Sequence, residues 1–275
     1  MGEKLMLEFL KKELMLLGIE DVSTVPLSLC RITRDDKLEK CGFTDFSLLS
    51  VIIFTIPYYT EQQSKNVSSY AVARDYHLFC ARLFDNILPK LRVNYPNNTF
   101  AGFSDNSPID ERHAAALSGL GIIGRNGMLI TKRYSSYVFL AEIITDLQLN
   151  TGADFKITYC DDCGRCSAAC PKSECGECLS ALSQKKGKLT LDEQNLIRKY
   201  GSAWGCDICQ EVCPHTEIAR RNKTLCTPIP FFKNELIPIV TQDIINNMSD
   251  EDFRSRAYSW RRRETILRNL KILEK

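Results

Sequence analysis

The sequence has no apolar run long enough to cross a bilayer: its longest, Leu48–Tyr58, falls well short and carries Pro57. It has no excess of one charge either. Thirty-six Lys and Arg stand against 34 Asp and Glu, and a net charge of +2 alone implies no polyanion binding. The opening MGEKLMLEFLKKELMLLG has scattered charges and no small-residue cleavage site, so it reads as an amphipathic helix and not as a secretion signal. No internal repeat appears outside the cysteine motifs. With 44% hydrophobic and 25% charged residues, disorder and fibrous repeats are excluded, and 275 residues suffice for one large domain or two smaller ones. What the chain does have is 13 cysteines, an odd number, nine of them between Cys160 and Cys213. A disulfide-rich secreted domain would be shorter, would pair an even set and would follow a signal peptide. The expectation is a soluble, cytoplasmic protein, with no membrane association, whose cysteines hold metal.

Along the chain, residues 2–18 show helical spacing and end at Gly18, a plausible C-cap. Leu48–Ile56 is rich in β-branched residues and predicts a buried strand. A helical pattern covers Ser68–Leu91, a second strand is expected near Thr99–Phe103, and Pro108 is expected to start a helix of about ten residues. Gly121–Ile130 and Tyr137–Thr145 predict a turn with flanking strands. Strands and helices thus mix through residue 150, which points to a layered α/β or α+β domain. A polar, helix-prone insert, Ser183–Tyr200, interrupts the cysteine-rich segment. After Pro228 and Pro230, helices are expected at Thr241–Asn247 and Arg254–Leu273. The corresponding division is 1–155, 156–225 and 226–275.

Cys160-x2-Cys163-x2-Cys166-x3-Cys170-Pro171 has the spacing of a bacterial ferredoxin, in which three thiolates bind one cubane and the fourth reaches a second. Cys206-x2-Cys209-x3-Cys213-Pro214 is a second motif without its first cysteine. By the same crossing, Cys213 completes the cluster of Cys160, Cys163 and Cys166. Cys170, Cys206 and Cys209 then need one more ligand, and both Cys175 and Cys178 are close enough in sequence. Paired CxxC units also make zinc sites, but zinc motifs rarely combine two-residue gaps with an x3-Cys-Pro ending, which occurs here twice. Two 4Fe–4S clusters in a ferredoxin-like double-cluster domain are expected. Cys30, Cys41, Cys80 and Cys226 have no ligand spacing and read as small buried residues.

Gly119-Leu120-Gly121-Ile122-Ile123-Gly124 matches GxGxxG literally, but a helical stretch precedes it and a strand-like MLIT follows, the reverse of a dinucleotide site. These glycines suit a tight turn or a close backbone approach to something flat. Asp105, in the loop SDNSP, is by local pattern a cap or an Asx turn, with a proton donor as the sharper alternative. His77 lies inside a helical pattern, where packing or a surface role is expected.

Taken together, YAVARDYH (Tyr70–His77), FSDNSPIDER (Phe103–Arg112), GLGIIGRNGMLIT (Gly119–Thr131), SYVFLAEIITDLQL (Ser136–Leu149), both cysteine motifs, Cys178-Leu179-Ser180 and the terminal Ser259-Trp260-Arg261-Arg262-Arg263 with Arg268-Asn269-Leu270 resemble the epoxyqueuosine reductase family over about residues 48–275. That family is cobalamin-dependent, carries two 4Fe–4S clusters and performs the last step of queuosine synthesis in tRNA. The resemblance implies an α+β fold: a layered corrinoid-binding-like domain, a ferredoxin-like double-cluster domain and a short helical C-terminus. It implies that Cys178 supplies the missing ligand, leaving Cys175 spare, and that Asp105 is the proton donor. It places Gly121, Arg125 and Asn126 of the turn, and Tyr137 at the head of the SYVFLAE strand, against the corrinoid. The implied partners are the anticodon region of tRNA and a ferredoxin or flavodoxin as electron donor, with the protein a monomer.

The chain departs from the family in being short at both ends, with Val22–Phe46 compressed and little after Trp260. Arg125 stands where the family has a lysine, which keeps the charge but not the geometry. From Asp252 to Lys275 there are eight Lys and Arg against three Asp and Glu. Trp260, Arg261, Arg262 and Arg263 are therefore the expected tRNA contact, a polyanion patch with a ring to stack on a base. Two alternatives differ in class: a corrinoid iron–sulfur reductase of a small molecule, in the manner of reductive dehalogenases, and an electron-transfer protein that has lost the corrinoid.

Overall fold

The structure, a computed structural model, describes residues 2–149 and 154–274, without the side chains of residues 2–4 and 175. The chain forms two compact units. The first comprises the residues up to Pro57 together with Phe79–Cys163, and the second comprises Tyr58–Leu78 together with the residues from Gly164 onward.

The first unit is built on a sheet of β1 (Val22–Pro26), β2 (Ser50–Pro57), β3 (Phe100–Phe103) and a later strand, Val138–Thr145, in the order β1, β2, Val138–Thr145, β3, antiparallel throughout. All eight residues of β2 are buried, which is why its sequence runs apolar without alternation. On one face Val51, Ile53 and Ile144 pack with Ala114, Ala115 and Ala116. Helix α1 (Gly2–Leu16) buries Met6, Leu10 and Leu14 at helical spacing and stops before Gly18, whose φ of 83° is open to glycine. Helix α2 (Asp35–Lys40) follows β1, and α3 (Tyr76–Asn94) precedes β3. Within this unit Lys90 of α3 pairs with Glu13 at 2.5 Å, and a Cβ on Gly102 would collide with the Phe84 ring, so α3 lies against β3.

Helix α4 (Glu111–Leu117) begins three residues after the proline expected to start it. Asp110 caps it, accepting from His113 N at 3.2 Å, while the Pro108 carbonyl takes the amides of Thr33 and Arg34. The glycine-rich stretch forms a small hairpin, β4 (Ile122–Ile123) with β5 (Leu129–Ile130), before β6 (Val138–Thr145). A helix therefore precedes the turn and a strand follows it, and Gly121 is required because a Cβ there would press on the Ile130 carbonyl of β5 at 2.5 Å.

The second unit is helical among the described residues: α5 (Arg165–Ala169), α6 (Lys172–Cys175), α7 (Leu179–Ser183), α8 (Leu191–Tyr200), α9 (Ile208–Glu211), α10 (Pro214–Arg221), α11 (Gln242–Asn247), α12 (Asp250–Arg254) and α13 (Arg262–Leu273). Its core gathers Val67, Ala71, Trp204, Tyr258, Ile266 and Leu270. The insert carries α8, started by a Thr190–Glu193 capping box and ended at Gly201.

Two expected helices are broken. Ser68–Leu91 becomes a 3-10 turn, Ser69–Ala71, and then α3. Asp207 holds Ser69 N at 2.7 Å, and Asp75 N donates to Ser255 O at 2.8 Å, so tertiary bonds draw the intervening backbone away from a continuous helix. Arg254–Leu273 becomes α12, a 3-10 turn (Ala257–Arg261) and α13, with Arg262 at a φ of 68°.

Candidate functional site

In the first unit, β3 delivers the chain into the loop that carries Asp105. Asp105 is exposed and adopts a φ of 61°, a conformation Asp and Asn tolerate better than other side chains. Its amide donates to Glu111 Oε1 at 3.0 Å. Further along, Ser107 Oγ donates to Glu142 of β6 and accepts the amide of Ile109 at 3.1 Å. Lys37 of α2 donates to the Asn106 carbonyl and Arg34 Nη1 to Asn106 Oδ1 at 3.3 Å. The loop is thus tied at Asp105, Asn106 and Ser107, and the Asp105 residue itself is exposed. Glu111 and Glu142 were not singled out from sequence, although a glutamate inside the apolar run VFLAEIIT is a signal that it has a special partner.

The glycine-rich hairpin sits beside the first cluster cysteine. Ile123 N donates to Thr158 O at 2.9 Å and Cys160 N to Ile123 O at 3.0 Å. Arg125 N donates to Cys160 Sγ at 3.3 Å, and its guanidinium pairs with Asp162 at 2.6 Å. A backbone donor on a ligating sulfur raises a cluster's potential. Asn126 Oδ1 accepts Met128 N at 3.2 Å, closing the turn, and Tyr137 is fully buried. A cleft of this unit is lined by Arg31, Asp110, Arg112, His113, Ile123 and Tyr159, among others. Burial first, then the Arg31 charge, lowers the His113 pKa, which favours the neutral imidazole, and its Nδ1 is buried without a partner among the described residues.

Cys160 and Cys163 close the first unit, and Cys166, Cys170, Cys178, Cys206, Cys209 and Cys213 belong to the second, joined through the Cys163–Gly164 peptide. Each x3-Cys-Pro ending stops a short helix, α5 at Cys170 and α9 before Cys213, and Pro214 starts α10. Helices α5 and α9 pack together. Burial, more than any neighbour, pushes the Cys206 thiol up to about 11, with Asp207, Cys209 and Cys178 adding negative charge nearby. Cys178 and Cys209 therefore lie near Cys206, and binding metal there must release protons. Cys178 is exposed, whereas the side chain of Cys175 lies outside the described residues. Among the described residues no three His, Cys, Asp or Glu side chains converge as for a single metal ion.

Between Cys206 and Cys209, Asp207 is buried and receives Lys65 Nζ at 2.5 Å, Ser69 N at 2.7 Å, Ser69 Oγ at 2.8 Å and Ser68 Oγ. This cluster of bonds fixes the cysteine pair to residues 65–69. Replacing Asp207 by Ala removes the buried counter-ion of Lys65, which keeps the more exposed Glu211 at 3.0 Å, and is expected to cost about 3 kcal/mol of unfolding free energy. Urea unfolding of the variant checks this, and a loss below ~1 kcal/mol would show that the network is incidental.

At the C-terminal end Trp260 is 57% exposed and the Arg261 guanidinium stacks on it at 3.6 Å. Arg262 is exposed. Arg263 is committed to the fold, donating to the carbonyls of Ile245, Met248 (2.7 Å) and Ser249 (3.1 Å) and pairing with Asp250 at 3.0 Å. The four residues of the basic patch thus differ in how free they are to meet a ligand.

No family model matches the chain. The epoxyqueuosine reductase of Gloeobacter violaceus is 30% identical over 217 residues, covering 74% of this chain and 68% of that protein. The chain belongs to the epoxyqueuosine reductase family. The enzyme of Lactococcus garvieae is 30% identical over 225 residues, 78% of this chain and 62% of that one, so the chain spans about two thirds of the length of these relatives. Solved epoxyqueuosine reductases share the fold. That of Streptococcus thermophilus superposes with a TM-score of 0.73 at 23% identity over 99% of this chain and 81% of its own. That of Bacillus subtilis, with its catalytic aspartate loop swung out of the active site, gives 0.75 at 20% identity over 98% and 81%. The family's members are oxidoreductases, and the mixed helix-and-sheet architecture described above is theirs. No helix among the described residues is long and apolar enough to cross a membrane.

Proposed function

We propose that the chain reduces epoxyqueuosine to queuosine in tRNA, with Asp105 as the proton donor. The epoxide C–O bonds break and a C=C bond forms; two electrons and two protons leave the oxygen as water. The observation that carries this reading is an exposed aspartate on a loop anchored to α2, α4 and β6, where a substrate can approach it.

The thiolate donor set fits two 4Fe–4S clusters, one on Cys160, Cys163, Cys166 and Cys213 and the other on Cys170, Cys178, Cys206 and Cys209. The Arg125 amide on Cys160 Sγ would tune the first, and it links that cluster to the glycine turn. A cobalamin would lie over this turn, with the guanidinium, carboxylate and imidazole groups of the small cleft beside it meeting part of the amide-rich rim of the corrinoid. When bound, its cobalt supplies two-electron reactivity that single-electron clusters lack. Arg31, Arg112 and His113 would hold it from the side chains, and Gly121, Arg125, Asn126 and Tyr137 would shape the turn and strand beside it. A ferredoxin or flavodoxin would supply electrons. A solved epoxyqueuosine reductase holds an epoxyqueuosine-modified tRNA-Tyr stem loop. Here Trp260, Arg261 and Arg262 would meet tRNA, with Arg263 bracing the helix beneath them.

Nucleoside analysis of tRNA from a host lacking its own reductase tests the reading. Introducing this gene is expected to replace epoxyqueuosine by queuosine. Persistent epoxyqueuosine in cells whose protein carries both clusters and corrinoid would overturn it.

A further inference from the structure

Glu142 is completely buried in the middle of β6, opposite Ile53 on β2 and Phe103 on β3. One of its oxygens accepts from Ser107, and the other is buried without a donor among the described residues. Helix α4, which begins at Glu111, packs against β6, and the Glu111 carboxyl, which already accepts the Asp105 amide, comes within reach of Glu142. Two carboxylates cannot bond to each other; a carboxyl and a carboxylate can, through one proton.

We infer that Glu142 holds a proton and donates it to Glu111, and that this single shared proton positions the loop bearing Asp105. The chain of bonds then runs from Glu142 through Glu111 to the Asp105 backbone, while Ser107 anchors the other end of the same loop to Glu142. Both glutamates are positioning residues. The inference rests on the reading of Asp105 as the proton donor, and gives that reading a mechanism for holding its acid in place.

The surroundings agree. Burial first, and then the Glu111 charge, raises the Glu142 carboxyl well above the usual carboxylate range, and burial raises Glu111 to about 7. Around the pair, Asp105 and Asp110 add negative charge against Glu111, Cys30 faces Glu142 as a thiol that burial pushes up to about 12, and Lys37 supplies positive charge toward Glu142. Both folded-state values lie above those of the unfolded chain, so the native protein binds the extra proton from ordinary carboxylate pH upward. The stability it brings is complete at low pH and is lost as pH rises through the folded values. Above that window two like charges face each other in the core and the Asp105 amide loses a fixed partner.

Infrared titration of the cluster-loaded, corrinoid-free protein provides the test, together with amide exchange at Asp105. Wild type should show a buried protonated carboxyl at pH 7 that disappears on the alkaline side, with exchange at Asp105 accelerating as it goes. Glu142→Gln keeps both hydrogen bonds through its amide without a titrating proton, so it should lose the band and show no such acceleration. In turnover, alkaline release of the loop should cost wild type on the order of 100-fold, the scale of a misplacement of about 1 Å, with kcat falling and KM steady. Absence of the band in wild type at pH 7 overturns the inference even if the variant fails to fold, as does an unchanged pH response in Glu142→Gln. These readouts need no turnover: if Asp105→Asn proves fully active, the proton-donor reading fails while the shared proton stands.

Discussion

Asp105→Asn is expected to lower turnover by about 10²–10⁴-fold, the contribution of a positioned general acid, while both clusters and the corrinoid are retained. That factor corresponds to about 2.7–5.5 kcal/mol of transition-state stabilisation. Asparagine is the right replacement because it fills the same volume and accepts the left-handed φ of 61° that this position requires. The bond to Glu111 comes from the Asp105 backbone amide, so it survives the substitution and the loop stays where it is. Only the transferable proton is lost. Since a proton delivered in bond cleavage is felt in the transition state, kcat and kcat/KM should fall together. Single-turnover assays on the reduced, fully loaded enzyme measure this directly, and turnover within a factor of two or three of wild type would remove Asp105 from the chemistry.

Cys178→Ala is expected to abolish turnover and to leave about four of eight irons, because one cubane loses a ligand while the other keeps its four. Cys175→Ala should leave the iron content of wild type. The spacing of the motifs admits either cysteine, and the family resemblance favours Cys178. The structure adds that Cys178, Cys206 and Cys209 stand near enough for Cys206 to feel the charge of the other two. Cys178 also begins α7, its carbonyl accepting the Leu182 amide at 2.8 Å, so its backbone is fixed on a helix that packs against α8. Iron and acid-labile sulfide assays on anaerobically purified variants decide between the two cysteines. Full iron in Cys178→Ala would show that another residue completes the set.

How legible these features were depends on how local their cause is. The cysteine motifs could be singled out as a candidate ligand set because cluster ligation imposes fixed short spacings. Helix α1, strand β2 and the helix of the Ser183–Tyr200 insert could be read because periodicity, β-branching and local helix propensity are properties of adjacent residues. The hairpin at Gly121 also followed from its flanks, which excluded a dinucleotide turn. By contrast, the helix expected across Ser68–Leu91 gave way where Asp207 and Ser255 claimed backbone amides from far along the chain. The expected C-terminal helix is interrupted before Arg262, whose φ is 68°, and Arg263 beyond the break satisfies carbonyls of its own unit.

The sequence by itself determined the cofactor chemistry proposed for the chain, since seven cysteines at ferredoxin spacing specify a thiolate ligand class wherever the rest of the chain goes. The tertiary structure decided which groups meet around the candidate sites. Lys65 meets Asp207 across 142 residues, and Ser107 meets Glu142 across 35. It also assigned Tyr58–Leu78, which precedes much of the first unit in sequence, to the second. A buried charge is stabilised only by the particular donor or proton that folding brings to it, and no spacing rule along the chain specifies a partner chosen by burial.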